Sequence, residues 1–597
     1  MKELLMGNEA IAMGALAAGV QVVAGYPGTP STEVLETIAK RNPGHVYVEW
    51  SVNEKAALEV AAGAAYAGAR SLVTMKQMGL NVASDPLMSL NYIGVKGGMV
   101  VFVADDPGPI SSQTEQDTRR YAQFANIPVF DPASPEEAYT LIQEAFDWSE
   151  RRGMPVLFRS TTRVCHACSS IEIQNLPTPA KPEGFVKDSR WVIFPKLSYE
   201  NKIKLRARER ELAEDFSRLP ANRIEGNGAV GIACGGISAA YVREALRDID
   251  GNFKVFQVAT PFPFPEAKAL EFLKGLEQII VFEELDPVIE DALVFLCGKE
   301  HLPLQILGKG TDTVPNAGEL SAAAVGEILA KTFGVTFRQE GLDLVDAPAI
   351  PARPPILCAG CPHRASFYAV KKAMKGKKAV FCGDIGCYTL GNAKPLDMVD
   401  TCLCMGAGIN IAQGIEHAQN DSVNFAFVGD STFFASGITG AVNAVYNKTN
   451  LVLIVLDNST TAMTGHQPHP GIGRTAMGEI APVVNMAAVL KGIGVQTVLE
   501  VNPLDLPAAI RAVQKAVAAE GVKAIIFRSP CVALMKKTPP LTVDQTQCVG
   551  CQKCIGELGC PALFPRDGKA QIDADLCNGC GLCQQVCPIH CIKKEAE

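Results

Sequence analysis

Cys548, Cys551, Cys554 and Cys560-Pro561 form one run of cysteines late in the chain, and Cys577, Cys580, Cys583 and Cys587-Pro588 form a second. The second run has the C-x2-C-x2-C-x3-C-P spacing at which thiolates hold iron–sulfur clusters. The first differs by two extra residues before its last cysteine, with Glu557 to Gly559 expected in a longer loop. The chemistry of such runs is one-electron transfer, and an electron carrier implies an electron source elsewhere in the chain. Zinc knuckles and a disulfide scaffold are the competing readings. Eight cysteines in this order, each run closed by proline, argue against both. Cys591 is surplus and reads as a packed thiol.

The paired runs resemble a two-cluster bacterial ferredoxin, in which three thiolates take one cluster and the fourth reaches across to the other. That resemblance implies one 4Fe-4S cluster on Cys548, Cys551, Cys554 and Cys587, and a second on Cys577, Cys580, Cys583 and Cys560.

The candidate electron source lies upstream. An apolar run from Asn424 to Val428 ends in Gly429-Asp430-Ser431, and the run Leu451 to Leu456 ends in Asp457-Asn458. Two neighbouring parallel strands that end this way each deliver an oxygen ligand to one magnesium ion, which bridges a diphosphate. The pattern resembles the thiamine diphosphate motif, with Asp430 and Asn458 as side-chain ligands and, by analogy, the Thr460 carbonyl as the third. Ser431 stands where the motif usually has glycine. Thr464-Gly465-His466-Gln467 follows, and an ordinary strand-end turn is the plain alternative.

A thiamine enzyme needs a carboxylate against the pyrimidine ring, so that proton transfer through the ring activates the cofactor. Glu54, in Val52-Asn53-Glu54-Lys55-Ala56-Ala57, opens a helix of small residues and is the candidate base. Its plain reading is an acid complementing a helix dipole.

The elements that must position these residues are short apolar strands alternating with Ala- and Leu-rich helices: Val100 to Ala104, Ala229 to Ala233, Gln278 to Phe282, Asn424 to Val428, Leu451 to Leu456 and Ala524 to Phe527. Runs of this kind predict parallel sheets covered on both faces, an α/β class. Two segments interrupt them. The charged run from Lys202 to Glu211 reads as a solvated connecting helix, with acceptor docking as its alternative, and Asp346 to Pro355, with four prolines, reads as a stiff linker. Boundaries are therefore expected near residues 175, 227, 345 and 537.

The chain has 597 residues, 20 cysteines and a net charge of -8. That charge argues against a general nucleic-acid binder. So many cysteines predict a reducing, cytoplasmic setting rather than disulfides. The apolar stretch from Ala10 to Gly25 lacks a basic n-region and an A-x-A site, and it is too short and Gly-rich for a membrane span.

Gly25-Tyr26-Pro27-Gly28-Thr29-Pro30-Ser31-Thr32-Glu33, Cys358-Ala359-Gly360-Cys361-Pro362-His363-Arg364, Gly383-Asp384-Ile385-Gly386-Cys387-Tyr388-Thr389 and the cysteine-rich tail together resemble the 2-oxoacid:ferredoxin oxidoreductases, over nearly the whole chain. The Cys-Pro-His-Arg and Gly-Asp-Ile-Gly-Cys-Tyr segments point to the indolepyruvate branch. The resemblance implies a multidomain α/β fold: a pyrimidine-binding thiamine domain over 1–175, a helical connection over 176–227, a transketolase C-terminal-like domain over 228–345, a diphosphate-binding thiamine domain over 346–537 and a two-cluster ferredoxin domain over 538–597. The two thiamine domains are expected to be doubly wound, and the transketolase-like domain, with its Glu283-Glu284-Leu285-Asp286-Pro287 turn, to be scaffold and subunit contact.

The implied reaction is oxidative decarboxylation of an aryl pyruvate. Indolepyruvate, coenzyme A and oxidised ferredoxin give indoleacetyl-coenzyme A, carbon dioxide and reduced ferredoxin. Thr29 resembles the residue that approaches substrate, at a helix start with Pro30 at the first helical position. Lys76 to Asn81 are expected nearby. Gly429, Asp430, Ser431, Asn458, Thr460, His363 and His466 are the cofactor-binding candidates, with a structural role equally open for each histidine. Some members of the wider family hold a third cluster near thiamine, for which Cys358, Cys361, Cys387 and Cys531 match; isolated cysteines among them equally suit packing. Cys382, Cys402 and Cys404 read as packing residues, and Cys165 and Cys168 are unassigned. The family also implies a small catalytic partner subunit, a dimer of such pairs and an external ferredoxin. The same mechanism on phenylglyoxylate, pyruvate or a branched-chain 2-oxoacid, and a non-catalytic electron-relay subunit, are the alternatives. A non-oxidative decarboxylase would have no use for eight ligand cysteines.

Overall fold

The Val- and Ile-rich runs of the sequence become the strands of three largely parallel sheets in the computed structural model, which describes residues 2–338, 348, 350–419 and 421–594. The chain divides into two units, Met1–Ala347 and Pro348–Glu597.

The first unit begins with a six-stranded, wholly parallel sheet. Its order is Tyr47–Trp50, Val22–Gly25, Ser71–Lys76, Met99–Asp105, Val156–Thr161 and Val129–Phe130. Met99–Asp105 is buried at every residue, as its unbroken apolar sequence requires of a strand covered on both faces. A second sheet has the order Gln305–Leu307, Gln278–Phe282, Val230–Gly235, Phe253–Val258 and Arg223–Glu225, parallel except for the last strand. The charged run from Lys202 to Glu211 lies inside the helix Pro195–Ser217, which buries Leu205, Leu212 and Phe216 and leaves most of its charges in solvent.

A buried ion network fastens these two sheets together within the unit. Arg119, 1% exposed, pairs with Asp117 at 2.6 Å and with Glu283 at 2.8 Å. Its Nη2 also donates to the carbonyls of Glu284 and Asp286. Glu283 accepts from the N–H groups of Ile289 and Glu290, so it also caps the helix Val288–Lys299. The Glu283–Pro287 turn, in the domain expected to be scaffold and subunit contact, makes this contact inside the chain.

The second unit opens with a five-stranded parallel sheet in the order Ala379–Cys382, Val423–Gly429, Leu451–Asp457, Val522–Arg528 and Thr497–Val501. Beyond it, the antiparallel pairs Leu541–Val543 with Ile592–Lys594 and Leu563–Arg566 with Lys569–Ile572 frame two short helices, Lys553–Leu558 and Leu582–Val586. Glu557 and Leu558 finish a helix instead of lying in a loop; Gly559, at φ 57°, supplies the left-handed cap that turns the chain back toward Cys560. Of the proline-rich stretch, Asp346, Ala347 and Ala349 lie outside the described residues, as does the boundary at 345. Among the described residues no helix is long and apolar enough to cross a membrane.

Replacing Arg119 by Ala leaves Asp117 and Glu283 as uncompensated buried charges. This substitution is expected to cost about 3–5 kcal/mol, read as a lowered denaturant midpoint for the first unit; an unchanged midpoint would refute the role of the network.

Candidate functional site

Glu54 is the first residue of the helix Glu54–Tyr66, behind an Asn53 cap whose side chain accepts from Ala56 N. It is 7% exposed, and burial pushes its carboxyl up to about 7, against the opposing pull of its own backbone N–H and of Lys76. The residue facing it is Gly79. A Cβ there would stand 2.6 Å from Glu54 Cγ and Oε1, so only glycine lets this carboxyl sit where it does. Lys76 Nζ donates to the Ser111 carbonyl at 2.8 Å, and Ser111 Oγ donates to the Thr29 carbonyl at 3.2 Å. Glu54, Thr29 and the start of the Lys76–Asn81 segment thus share one corner of the first unit.

The helix after Thr29 begins later than expected. It spans Thr32–Arg41, with Ser31 as its cap residue, so Pro30 is not at the first helical position. A turn takes its place: Ser31 N donates to Gly28 O at 2.7 Å, and Gly28 N donates to Thr32 Oγ1 at 3.0 Å.

In the second unit Asp430 and Asn458 stand just past two paired strands, Val423–Gly429 and Leu451–Asp457. Asp430 is buried. Its Oδ1 accepts from Ser431 N at 2.9 Å and its Oδ2 from Asn458 N at 3.1 Å. One end of the Asn458 amide lies 3.2 Å from Asp430 Oδ2 and 2.7 Å from the Thr460 carbonyl oxygen. With nitrogen at that end the amide donates to both; with oxygen, three oxygens converge as the donor set of a hard cation. The other end of the amide is 3.3 Å from His363 Nε2. Burial holds the His363 ring down at about 4, more than Asp430 raises it, so the ring is neutral at pH 7. Thr460 Oγ1 and Thr461 Oγ1 are buried without a hydrogen-bond partner, polar groups that fit an anionic ligand here.

His466 does not join this cluster; it is exposed, at φ 69°. His469 does. Its Nδ1 accepts from Gly471 N, which leaves the proton on Nε2, 3.1 Å from Asp430 Oδ2 but too far out of line to bond it. The sequence reading also missed Asp384 and Tyr388. Asp384 accepts from Gly406 N at 2.7 Å and from the Tyr388 hydroxyl at 2.9 Å, and burial raises its carboxyl to about 6. The Tyr388 ring packs on Gly429, where a Cβ would meet Cε1 at 2.5 Å. The signal was present: Gly383-Asp384 follows the strand Ala379–Cys382 as Gly429-Asp430 follows its neighbour.

The cysteines fall into three sets. Cys560, Cys577, Cys580 and Cys583 line one apolar cavity, so the fourth residue of the first run does stand with three of the second. Cys554 has Cys587 and Cys551 as neighbours, and Cys548 is hydrogen-bonded to Cys591. Cys591 is buried with its Sγ 3.4 Å from Cys587 Sγ, touching candidate ligands rather than merely filling space. In the third set, burial and then the thiols of Cys531 and Cys358 push Cys387 up to about 11, and Cys361 N donates to Cys358 O. Cys531 N donates to Asn458 O at 2.9 Å, which joins this set to the Asp430 cluster. Among the described residues no group of His, Cys, Asp or Glu is arranged for a single metal ion. Cys165 is buried and Cys168 exposed, apart from these sets.

The Glu54 environment has a pH signature. A carboxyl raised from the usual 4.5 to about 7 binds more protons folded than unfolded, so its contribution to stability is full below 4.5 and is lost as pH rises through 7. The cofactor-free chain is expected to lose about 3 kcal/mol across that window, and Glu54→Gln to flatten the profile. Parallel profiles for the two proteins, measured by denaturant midpoints, would refute the burial of this acid.

Comparison with known proteins bears on each region. Residues 13–190 match the family model for pyruvate flavodoxin/ferredoxin oxidoreductase, thiamine diphosphate-binding; residues 384–527 match the thiamine pyrophosphate enzyme C-terminal binding domain; and residues 570–593 match the 4Fe-4S binding domain. The chain therefore carries thiamine diphosphate-binding domains and an iron–sulfur domain. It is 41% identical to indolepyruvate oxidoreductase subunit IorA of Methanothermobacter thermautotrophicus, covering 100% of this chain and 98% of that one. It is 41% identical to the IorA subunit of Thermococcus kodakarensis, covering 100% and 97%. A solved 2-oxoglutarate:ferredoxin oxidoreductase from Magnetococcus marinus aligns with TM-score 0.46 and 18% identity over 55% of this chain and 65% of that one. By its full-length match to these relatives, the chain belongs to the IorA family of indolepyruvate oxidoreductase subunits.

Proposed function

We propose that the chain is the thiamine-bearing subunit of an oxidoreductase that converts an aryl pyruvate, coenzyme A and oxidised ferredoxin to the aryl acetyl-coenzyme A, carbon dioxide and reduced ferredoxin. Indolepyruvate is the substrate, after the relatives' name. The observation that carries the proposal is the convergence of the Asp430 carboxylate, the Asn458 amide and the Thr460 carbonyl at paired strand ends, with Cys531 bonded to Asn458. Bound there, thiamine diphosphate supplies the electron-stabilising centre for decarboxylation.

The chain's own residues have these roles in the proposal. Asp430, Asn458 and the Thr460 carbonyl hold magnesium; Gly429, Ser431 and the neutral His363 face the diphosphate. Glu54, protonated near neutral pH by burial, is matched to proton exchange with the pyrimidine ring. Thr29 approaches substrate. Cys548, Cys551, Cys554 and Cys587 hold one 4Fe-4S cluster, and Cys560, Cys577, Cys580 and Cys583 hold another, a division supported by the cavity the latter four share. Cys358, Cys361, Cys387 and Cys531 hold a third, supported by their mutual proximity and by the tie to Asn458. The segment division at 175, 227, 345 and 537 belongs to the same proposal, supported by the separate sheets. So do a small catalytic partner subunit in a dimer of pairs, an external ferredoxin and a cytoplasmic setting.

The test is anaerobic dye reduction by the chain with its partner, using indolepyruvate, phenylpyruvate and pyruvate, each with and without coenzyme A. Coenzyme-dependent reduction that favours the aryl acids is expected. Preference for pyruvate would move the substrate, and no reduction by any acid, with cofactors loaded, would favour an electron-relay subunit. His469→Ala is expected to weaken magnesium-dependent thiamine diphosphate binding about tenfold or more, measured calorimetrically, while His466→Ala leaves it unchanged. Equal effects would overturn the placement of His469 beside Asp430.

A further inference from the structure

Among the described residues, no carboxylate pairs with the buried cation Arg364. It lies in the helix Pro362–Ala373 and is 4% exposed. Among the described residues its hydrogen-bond partners are all backbone carbonyls. Nη1 donates to Leu558 at 2.6 Å and Gly559 at 2.8 Å, and Nη2 donates to Leu357 at 2.6 Å and, more distantly, to Cys358. Nε, the remaining donor, has no partner. Carbonyl dipoles solvate a guanidinium but do not neutralise it, and an unbalanced charge away from water is strongly unfavourable.

The anion that would balance it is indicated by the cavity wall. Arg364 and Cys361 line the same apolar cavity as Cys560, Cys577, Cys580 and Cys583. A cluster held by four thiolates is an anion, and each one-electron reduction adds a further negative charge. Charge, hydrogen bonds to sulfur and exclusion of solvent are the levers by which a protein sets cluster potential. Arg364 brings a positive charge and a partnerless N–H to the wall of this cavity.

We propose that Arg364 is the counter-charge of the cluster on Cys560, Cys577, Cys580 and Cys583, with its Nε–H directed at cluster sulfur, and that it raises that cluster's reduction potential. The inference rests on the cluster assignment proposed above. Asn578, next to the ligand Cys577, donates to the Ala359 carbonyl at 2.8 Å, inside the Cys358–Cys361 turn. The site beside Arg364 is therefore tied to the Cys358–Cys361 turn, and a cation there would favour the reduced form of a cluster held by these four thiolates.

The experiment is a redox titration of the anaerobically purified enzyme followed by electron paramagnetic resonance. In Arg364→Met, one terminal cluster is expected to hold its electron at least tenfold less tightly, a shift of about 59 mV to more negative potential. The other terminal cluster stays in place. Arg364→Lys, which keeps the charge, recovers most of the shift. Arg364 also clamps the chain just before Cys560, so the unaltered enzyme carries a second measurement. Grown with nitrogen-15 arginine and reduced, it should show nitrogen hyperfine coupling on one terminal cluster in pulsed spectra. Clusters present with unmoved potentials and no coupling overturn the role of Arg364 alone; a preparation without terminal clusters overturns the cluster assignment and this proposal with it.

Discussion

Asn458 is the residue that ties the Asp430 cluster of the second unit together. Its backbone N–H is taken by Asp430, its amide reaches Asp430, Thr460 and His363, and its carbonyl holds the N–H of Cys531. One residue at a strand end, through its backbone and its amide, therefore holds a carboxylate, a carbonyl, a neutral imidazole and a cysteine relative to one another. Rigidity is what this arrangement contributes. A cation site tolerates little displacement of its oxygens, and an electron acceptor must stay close to its donor. Anchoring the Asp430 carboxylate and Cys531 to one residue removes the independent motion that would separate them.

The same economy governs how the chain handles buried charge. In the first unit, Arg119 is balanced by Asp117 and Glu283, and Arg159 by Asp105 and Asp131, so both cations have carboxylate counter-charges within the chain. In the second unit Arg364 bonds only backbone carbonyls among the described residues, and several buried polar atoms stand without partners. Thr460 Oγ1, Thr461 Oγ1, His469 Nε2 and Arg364 Nε all lack partners. Unsatisfied buried groups are costly wherever they occur, and those at the strand ends and on the cysteine cavity wall fit bound groups that would complete them.

How far the sequence disclosed this follows from how local each feature is. Asp430 and Asn458 were legible because a strand end needs only an apolar run and the residue after it, and both runs became paired strands. The cysteine runs were legible for the same reason. The start of the helix after Thr29 was misjudged, since the turn depends on Gly28, Ser31 and Thr32 bonding one another, which proline position does not reveal. His469 was missed and His466 preferred because the choice turns on the loop path, set by Gly465 at φ 122° and His466 at φ 69°. The Arg119 network joins distant segments, and no short motif encodes it.

Glu54 illustrates the limit in its sharpest form. Its position at a helix start could be read from six consecutive residues, yet that position alone stabilises the anion through the helix dipole and the neighbouring N–H groups. What makes the acid proton-bearing near neutral pH is burial, and burial there depends on Gly79, twenty-five residues on, leaving room for a carboxyl that any side chain would displace. The two influences oppose each other, and burial is the larger. The raised proton affinity of the residue therefore comes from the absence of a side chain on a different element, and a reading of Glu54 from its own neighbours predicts the wrong protonation state.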